Sequence, residues 1–281
     1  MVGKSTPVIL VTGCSTGLGR EMSRVALEHR FRVISTARLP ETLVALKEKG
    51  AETLALDVTL PVAEIVAFAA RAWNIYGQID FLINNAGYLQ GGAIEENSPE
   101  DFLHQFNTNV FGLVNIINTF LPYFRKRRER MIVNISSQGG SLNMIGAGIY
   151  CASKAAVDSL SDTYSRELAP FNVKCISIQP GMFRASVAES SNLRYGSNRI
   201  EDYDIPQKIY TTYNAATGTE RGDPAKAAVK IIDFVTEPGR ELPLRLPVGE
   251  DTFDALKACH LKQISDMEKF KSWSIGTDFN A

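Results

Sequence analysis

Residues 8–20 read VILVTGCSTGLGR, an apolar run followed by a glycine-rich turn and the start of a helical pattern. The run Val8–Thr12 has the length of a buried strand, and Leu18–Arg30 has helical spacing. Glycines in the turn allow the backbone to bend tightly and to approach a bound group closely. The N-terminus of the following helix offers unpaired N–H groups and a partial positive charge, which suit a phosphate. The segment therefore predicts a strand, a phosphate-binding turn and a helix.

The same alternation of strand and helix continues along the chain. Further strands are predicted by short, nearly continuous apolar runs at Arg32–Thr36, Thr53–Leu56, Phe81–Asn84, Met131–Ile135, Val173–Ile178 and Leu244–Val248. Helical patterns lie between them at Glu41–Lys49, Val62–Tyr76, Pro99–Arg127, Ala152–Leu168 and Pro224–Thr236. Continuous apolar strands are typical of parallel sheets that are covered on both faces. We therefore predict an α/β fold, a doubly wound, Rossmann-type parallel sheet of about seven strands with helices on both faces.

Length and composition narrow the classes of protein. The chain has 281 residues and a mass of 30.9 kDa, with 44% hydrophobic and 22% charged residues and a formal net charge of -1. Disordered, collagen-like and low-complexity proteins are excluded by these values. Balanced charge gives no overall attraction to nucleic acid or to an anionic membrane, so neither is expected as a partner. We expect one catalytic domain over residues 1–281, with a lid at about 182–215 and a helical tail at about 250–281.

The four cysteines and three histidines are scattered and show none of the spacings of a metal site, so no metal is expected. Reduced thiols, the lack of a signal-peptide pattern at the N-terminus and the lack of a long apolar run predict a cytoplasmic protein.

A Tyr and a Lys lie four residues apart at the start of a predicted helix, as Tyr150 and Lys154. That spacing places both side chains on one helix face, where the ammonium favours the ionised form of the phenol. The pair can then give a proton to a carbonyl oxygen or take one from an alcohol. Its predicted position, after the fifth strand, is at the sheet edge where ligands bind in such folds.

The turn has the spacing Thr-Gly-x-x-x-Gly-x-Gly at residues 12–19, and together with Tyr150-x-x-x-Lys154 it resembles the short-chain dehydrogenases/reductases. The resemblance runs from about Val8 to Val248 and indicates the single-domain branch; the extended C-terminal part is similar to the 17-beta-hydroxysteroid-dehydrogenase-like group. It implies cofactor contacts at Gly13, Ser15, Thr16, Gly17, Leu18, Gly19, Arg38, Asp57, Val58, Asn85, Ala86, Gly87, Tyr150, Lys154, Pro180 and Gly181. It also implies that Ser137 orients the reacting oxygen, in preference to Ser136, and that Asn109 holds a water of the proton relay.

The expected activity is an oxidoreductase that interconverts a ketone or aldehyde and an alcohol with NADP(H). An acidic residue would hold the ribose of NAD, whereas this chain has Ala37 there, followed by Arg38. The guanidinium of Arg38 suits a 2′-phosphate, so NADP(H) is the expected cofactor. The alternatives are an epimerase or dehydratase with the same Tyr and Lys, and a non-catalytic NADP-binding sensor.

Three further expectations concern the substrate and the assembly. Where relatives place a Thr that contacts the nicotinamide, this chain has Ala185, followed by Ser186. The substrate pocket is expected among Tyr88–Ala93, Leu142–Ile145 and Gly181–Tyr213, where Tyr195, Tyr203, Tyr210 and Tyr213 are either lid residues or ordinary half-buried aromatics. The resemblance also implies a homodimer or homotetramer, paired through the long helices at Pro99–Arg127 and Ala152–Leu168.

Overall fold

The computed structural model describes residues 6–184, 192–196, 198–204, 208, 211 and 220–279. Its main sheet contains β1 (Val8–Val11), β2 (Arg32–Ala37), β3 (Glu52–Ala55), β4 (Phe81–Asn84), β6 (Arg130–Ile135), β7 (Val173–Pro180) and β9 (Arg245–Val248). All pairs in this sheet are parallel, in the order β3-β2-β1-β4-β6-β7-β9. The strand order reverses between β1 and β4, which is the point where parallel sheets of this kind open a binding crevice. The predicted doubly wound sheet is confirmed.

The helices lie on both faces of the sheet. They are α1 (Gly17–Glu28), α2 (Val44–Glu48), α3 (Val62–Tyr76), α4 (Pro99–Phe106), α5 (Gly112–Arg127), α6 (Gly139–Leu142), α7 (Gly148–Glu167), α8 (Pro224–Thr236), α9 (Glu250–Lys269) and α10 (Lys271–Ser274). One π-helical turn, Asn107–Phe111, joins α4 to α5.

Two hydrophobic cores form because the strands are apolar on both sides. On one face, α3, α5 and α7 contribute Phe68, Phe120 and Val157 among others. On the other face, α1 and α8 contribute Val25 and Ile231 among others. All four residues of β1 are completely buried, as expected for a central strand covered on both faces.

Tertiary contacts shift several predicted boundaries. The helix predicted at Ala152–Leu168 begins four residues earlier, at Gly148. A Cβ on Gly148 would lie 2.6 Å from the Ile94 side chain, so this close contact suits a glycine at the start of the helix. The segment predicted as one helix at Glu41–Lys49 begins with a 3-10 turn, Pro40–Leu43, which leads into α2 at Val44.

Two short strands were not predicted. β5 (Leu89–Gly91) and β8 (Leu193–Tyr195) pair in parallel as a separate two-stranded sheet, with Leu89 opposite Leu193. Their sequences are too short and too mixed in polarity to carry a periodic signal.

The predicted helical tail at about 250–281 carries large apolar residues at Phe253, Leu256, Leu261, Ile264 and Met267. The helix is present as α9, but of these five residues only Leu256 is buried. Within the described part of the chain, no helix has both the length and the apolar character of a membrane span.

Candidate active site

A cavity of about 570 Å³ lies at the carboxyl edge of the main sheet. It collects side chains that follow the ends of six strands, because the carboxyl ends of parallel strands meet at one edge. The predicted site residues that line it are Gly13, Ser15, Thr16, Gly17, Leu18, Arg38, Asp57, Val58, Asn85, Ala86, Gly87, Ser137, Tyr150, Lys154, Pro180 and Gly181. Gly19 and Asn109 are buried beside this cavity rather than among its lining residues.

The glycine-rich turn is pressed against the segment that follows β4. Gly13 has a φ of +70°, and a Cβ there would lie 2.8 Å from the Ala86 Cα. A Cβ at Gly19 would collide with the Asn85 side chain. Glycine is therefore required at both positions, for backbone conformation at the first and for space at both.

Asn85 ties this turn to β4. Its Nδ2 donates to the carbonyl oxygens of Thr12 and Gly13, both at 2.9 Å. The Thr12 hydroxyl oxygen accepts from the backbone N–H groups of Asn85 and Ala86 at 2.9 and 3.0 Å. These bonds fix the loop in front of the N-terminus of α1, whose first turn contains no acidic residue. The result is a rigid cradle with the polarity that an anion needs.

The far end of the cavity combines Arg38 with Asp57 and Val58. Arg38 is exposed and directly follows the buried Ala37 at the end of β2. Asp57 caps its own turn by accepting from the Thr59 N–H at 2.9 Å and from the Thr59 hydroxyl at 2.7 Å. Within the described part of the chain Arg38 has no ion-pair partner, so its guanidinium is available to an anionic group.

Tyr150 and Lys154 lie one turn apart in the first two turns of α7. The Lys154 Nζ is 5.8 Å from the centroid of the Tyr150 ring and donates to the Ile135 carbonyl oxygen at 2.7 Å. Lys154 is buried, and burial lowers its pKa to about 8, whereas the charge on Asp158 acts in the opposite direction. A buried ammonium this close to the phenol stabilises the phenolate more than it would in water.

The two serines after β6 point to different partners. The Ser137 hydroxyl oxygen accepts from the Gly139 N–H at 3.0 Å and can still donate its own proton to a ligand. The Ser136 hydroxyl instead donates to the Lys154 carbonyl oxygen at 3.1 Å, so it braces α7. This geometry favours Ser137, the residue that the sequence singled out.

Asn109 lies in the π-helical turn and is almost completely buried. Its amide brackets the backbone of Tyr88: Oδ1 accepts from the N–H at 3.1 Å and Nδ2 donates to the carbonyl oxygen at 3.0 Å. Nδ2 also donates to the Ser153 hydroxyl at 3.1 Å, and that hydroxyl donates to the Tyr150 carbonyl oxygen at 2.7 Å. Asn109 therefore fixes both the cavity wall and the first turn of α7.

The sequence profile of the family described as short chain dehydrogenase matches residues 7–196, well over half of the chain. The chain belongs to the short-chain dehydrogenase family. The uncharacterized oxidoreductase YusZ of Bacillus subtilis is 36% identical over 253 residues, which are 86% of this chain and 89% of that protein. This relative and the family match make the chain an oxidoreductase of the short-chain dehydrogenase type.

Solved structures agree with this family. A short-chain dehydrogenase from Streptomyces avermitilis has a TM-score of 0.88 and 34% identity, and the match covers 99% of this chain and 100% of that one. Actinorhodin polyketide ketoreductase, whose structure contains NADPH, has a TM-score of 0.73 and 28% identity, and the match covers 88% and 97% of the two chains.

The sequence predicted pocket residues within Gly181–Tyr213 of this dehydrogenase but did not indicate which of them reach the cavity. Asn192 and Arg194 line it: the Asn192 Nδ2 donates to the Thr16 hydroxyl oxygen at 3.2 Å, and the Arg194 guanidinium lies 4.7 Å from the centroid of the Tyr88 ring. Asn192 lies just before β8 and Arg194 lies within it. Both reach the cavity because β8 pairs with β5. No sequence signal predicts a pairing between segments a hundred residues apart.

Other pocket expectations had mixed outcomes. Tyr88 and Leu89 line the cavity, whereas Leu142–Ile145 is absent from its described lining. Tyr195 and Tyr203 are exposed, and the Tyr203 hydroxyl donates to Glu95 at 2.8 Å. Ala185, Ser186, Tyr210 and Tyr213 lie outside the described residues.

Proposed function

We propose that this short-chain dehydrogenase interconverts a ketone or aldehyde and an alcohol with NADP(H), with Tyr150 as the acid and base. The observation that carries the proposal is that Tyr150, Lys154 and Ser137 face one cavity whose other end is the glycine cradle. The cradle fits a dinucleotide, because its loop lies at the N-terminus of α1, whose first turn has no acidic residue and whose unpaired N–H groups suit a diphosphate.

The side chains divide the work at the reacting oxygen. Ser137 and Tyr150 donate hydrogen bonds to the carbonyl oxygen and hold it in place. Bound NADPH supplies the hydride. The Tyr150 hydroxyl then transfers its proton to the oxygen that gains negative charge, and the ammonium of Lys154 stabilises the phenolate that remains. The phenolate is reprotonated from water, and Asn109 keeps the first turn of α7 in position throughout.

Cofactor choice follows from Arg38. We assign the 2′-phosphate of NADP(H) to its guanidinium, and the diphosphate to the loop of Ser15, Thr16, Gly17 and Leu18 at the N-terminus of α1. Asp57, Val58, Asn85, Ala86 and Gly87 line the cavity between these two ends and would hold the adenosine.

We also propose that the chain is one catalytic domain in which the segment after β7 covers the substrate. The pairing of β8 with β5 and the bond from Asn192 to Thr16 support this placement. A homo-oligomer paired through α4, α5 and α7 is supported by Leu103 and Phe111, which are 58% and 49% exposed on this helical layer.

The direct test is NADPH consumption across a panel of small and bulky aldehydes and ketones. Tyr150→Phe should lower kcat by about a hundredfold or more, because it removes the proton donor, while NADPH still binds. The matched control is Tyr164→Phe on the same helix, whose hydroxyl bonds Asn118 away from the cavity and whose loss should leave kcat unchanged. A Tyr150→Phe enzyme with a near-normal rate would overturn the proposal, as would a wild-type protein that binds NADPH tightly and consumes none.

A further inference from the structure

A completely buried carboxyl group, Asp158, lies one helical turn beyond Lys154. Tyr150, Lys154 and Asp158 are spaced four residues apart, so their side chains leave α7 on the same face. The row of phenol, ammonium and carboxylate therefore runs from the cavity into the core. A buried carboxylate is retained in a protein only when it is paired or hydrogen-bonded.

Groups from the neighbouring strands favour the charged form of this carboxylate and oppose the effect of burial. From β7, the Ser177 hydroxyl donates to Oδ1 at 2.5 Å and the Gln179 Nε2 donates to Oδ2 at 2.9 Å. From β9, an Arg245 nitrogen lies 4.0 Å from Oδ2. Burial raises the pKa of Asp158, and these hydrogen bonds, led by that of Ser177, oppose the rise together with Arg245.

The Asp158 carboxylate is packed tightly against the backbone of α6. A Cβ on Gly140 would lie 2.6 Å from the Asp158 Oδ2, so a glycine is needed where α6 meets α7. Arg245 also makes a 2.7 Å ion pair with Asp162, which is one more turn along α7 and partly exposed. The charges thus alternate from Lys154 through Asp158 and Arg245 to Asp162.

We propose that Asp158 is a positioning residue whose carboxylate, one turn along the same buried helix face, keeps the ammonium of Lys154 charged beside Tyr150. This inference rests on the proposed function of Tyr150 and Lys154. The ionisable groups that face the row are Tyr150 on α7 itself, Arg245 from β9, and Asp162 beyond it. β6 contributes uncharged groups only, the Ile135 carbonyl and the Ser136 hydroxyl.

A buried negative charge is useful here because burial makes the charged form of Lys154 less stable. Burial lowers the pKa of Lys154 to about 8, and the negative charge of Asp158 raises it. Without that charge, the ammonium would lose its proton at a lower pH, and Tyr150 would lose the cation that stabilises its phenolate. Asp158 therefore extends the pH range over which the proton donor works.

The test is the pH dependence of kcat/KM for NADPH-driven reduction by Asp158→Asn. The amide keeps the size of the carboxyl and can still accept from Ser177, and the Gln179 amide can rotate to match it. Lys154 is charged below its pKa, so a lower pKa should move the alkaline limb of the profile down by about one pH unit. Asp162→Asn is the matched control, because Asp162 pairs with the same Arg245, and its alkaline limb should coincide with that of the wild type.

A merely structural Asp158 would lower kcat/KM equally at every pH, and that result would overturn the inference while leaving the proposed function intact. If Asp158→Asn does not fold, as judged by its thermal unfolding, Asp158→Ser decides. This change also removes the negative charge and leaves a smaller hydroxyl that can still bond Ser177, so the same downward shift is expected, and an unshifted limb refutes the inference.

A readout without turnover separates the two proposals. The affinity for NADPH, followed by its fluorescence, should fall with rising pH as Lys154 loses its charge, and it should fall at a lower pH in Asp158→Asn. A wild-type protein that reduces no carbonyl would refute the proposed function alone, provided that this difference in binding is seen. If the wild type and Asp158→Asn gave the same pH dependence of NADPH affinity and the same pH dependence of kcat/KM, the role of Asp158 would be refuted.

Discussion

In the proposed function, Arg38 is the side chain that selects the cofactor. It follows the second strand, where its guanidinium faces the cavity and the preceding Ala37 offers no carboxylate to a ribose. A planar guanidinium forms two parallel hydrogen bonds with a phosphate, and such charge-assisted bonds are stronger than neutral ones. The overall net charge of -1 gives no indication of this local positive charge.

Replacing this side chain should change the preference between the two nicotinamide cofactors. Arg38→Ala is expected to reduce kcat/KM for NADPH by about tenfold to a hundredfold, because it removes charge-assisted bonds to the 2′-phosphate, with little effect on NADH. The measurement is the ratio of kcat/KM for the two cofactors. Arg71→Ala, an exposed arginine on α3, serves as the control. A wild-type enzyme that prefers NADH would contradict the assignment.

At the scale of an element, α8 shows how local sequence sets a helix start. Asp223 precedes Pro224, and its carboxylate accepts from the N–H groups of Ala225 at 2.8 Å and Lys226 at 3.3 Å. Proline suits the first helical position because its missing N–H would have had no partner there. The helix then buries Ile231 and Ile232 against the sheet.

Removing this cap should destabilise the protein without touching its chemistry. Asp223→Ala is expected to lower the free energy of unfolding by about 1 kcal/mol, since two backbone donors lose their acceptor. Urea denaturation measures the change, and kcat/KM should stay at the wild-type value. For comparison, Asp233→Ala on the same helix should change the free energy by less than about 0.5 kcal/mol. Equal effects of the two substitutions would argue against a capping role.

At the scale of the whole molecule, stability comes from two cores separated by the sheet. Phe120 on α5 is completely buried, and its ring stacks on that of Phe124 with centroids 5.9 Å apart. The exposed aromatic residues of the C-terminal helices contrast with it: Phe270 is 51% exposed and Trp273 is 87% exposed. A phenylalanine is therefore expected to contribute more to the free energy of unfolding in the buried core than in the exposed C-terminal helices.

This contrast can be measured with a pair of phenylalanine variants. Phe120→Ala should lower the free energy of unfolding by about 3–5 kcal/mol, because it removes buried area and leaves a cavity. Phe270→Ala should cost less than about 1 kcal/mol, as its side chain is already half in water. Guanidinium denaturation followed by circular dichroism tests both. A comparable loss in Phe270→Ala would show that the tail is covered in solution.

Prediction from sequence succeeded where the signal is local. The seven main strands were found because a buried parallel strand is a short run of apolar residues, and β4 was placed to the residue. β5 and β8 were missed because Leu89-Gln90-Gly91 and Leu193-Arg194-Tyr195 have no period of their own. Of the residues that line the cavity, the glycine turn and Tyr150 and Lys154 were singled out by motif spacing, whereas Asn192 and Arg194 were not.

The amino-acid sequence alone determined the order of strands and helices, the conformation of the glycine turn and the shared face of Tyr150 and Lys154. These features depend on backbone sterics and on the periods with which side chains repeat along a helix or strand, and both can be read from neighbouring residues of the sequence. Only the tertiary structure decided that Lys154 and Asp158 are buried together and that the Ser136 hydroxyl bonds the Lys154 carbonyl oxygen. The reason is that desolvation and hydrogen-bond partners come from strands far apart in sequence, so their effect on a charge exists only once the sheet has assembled.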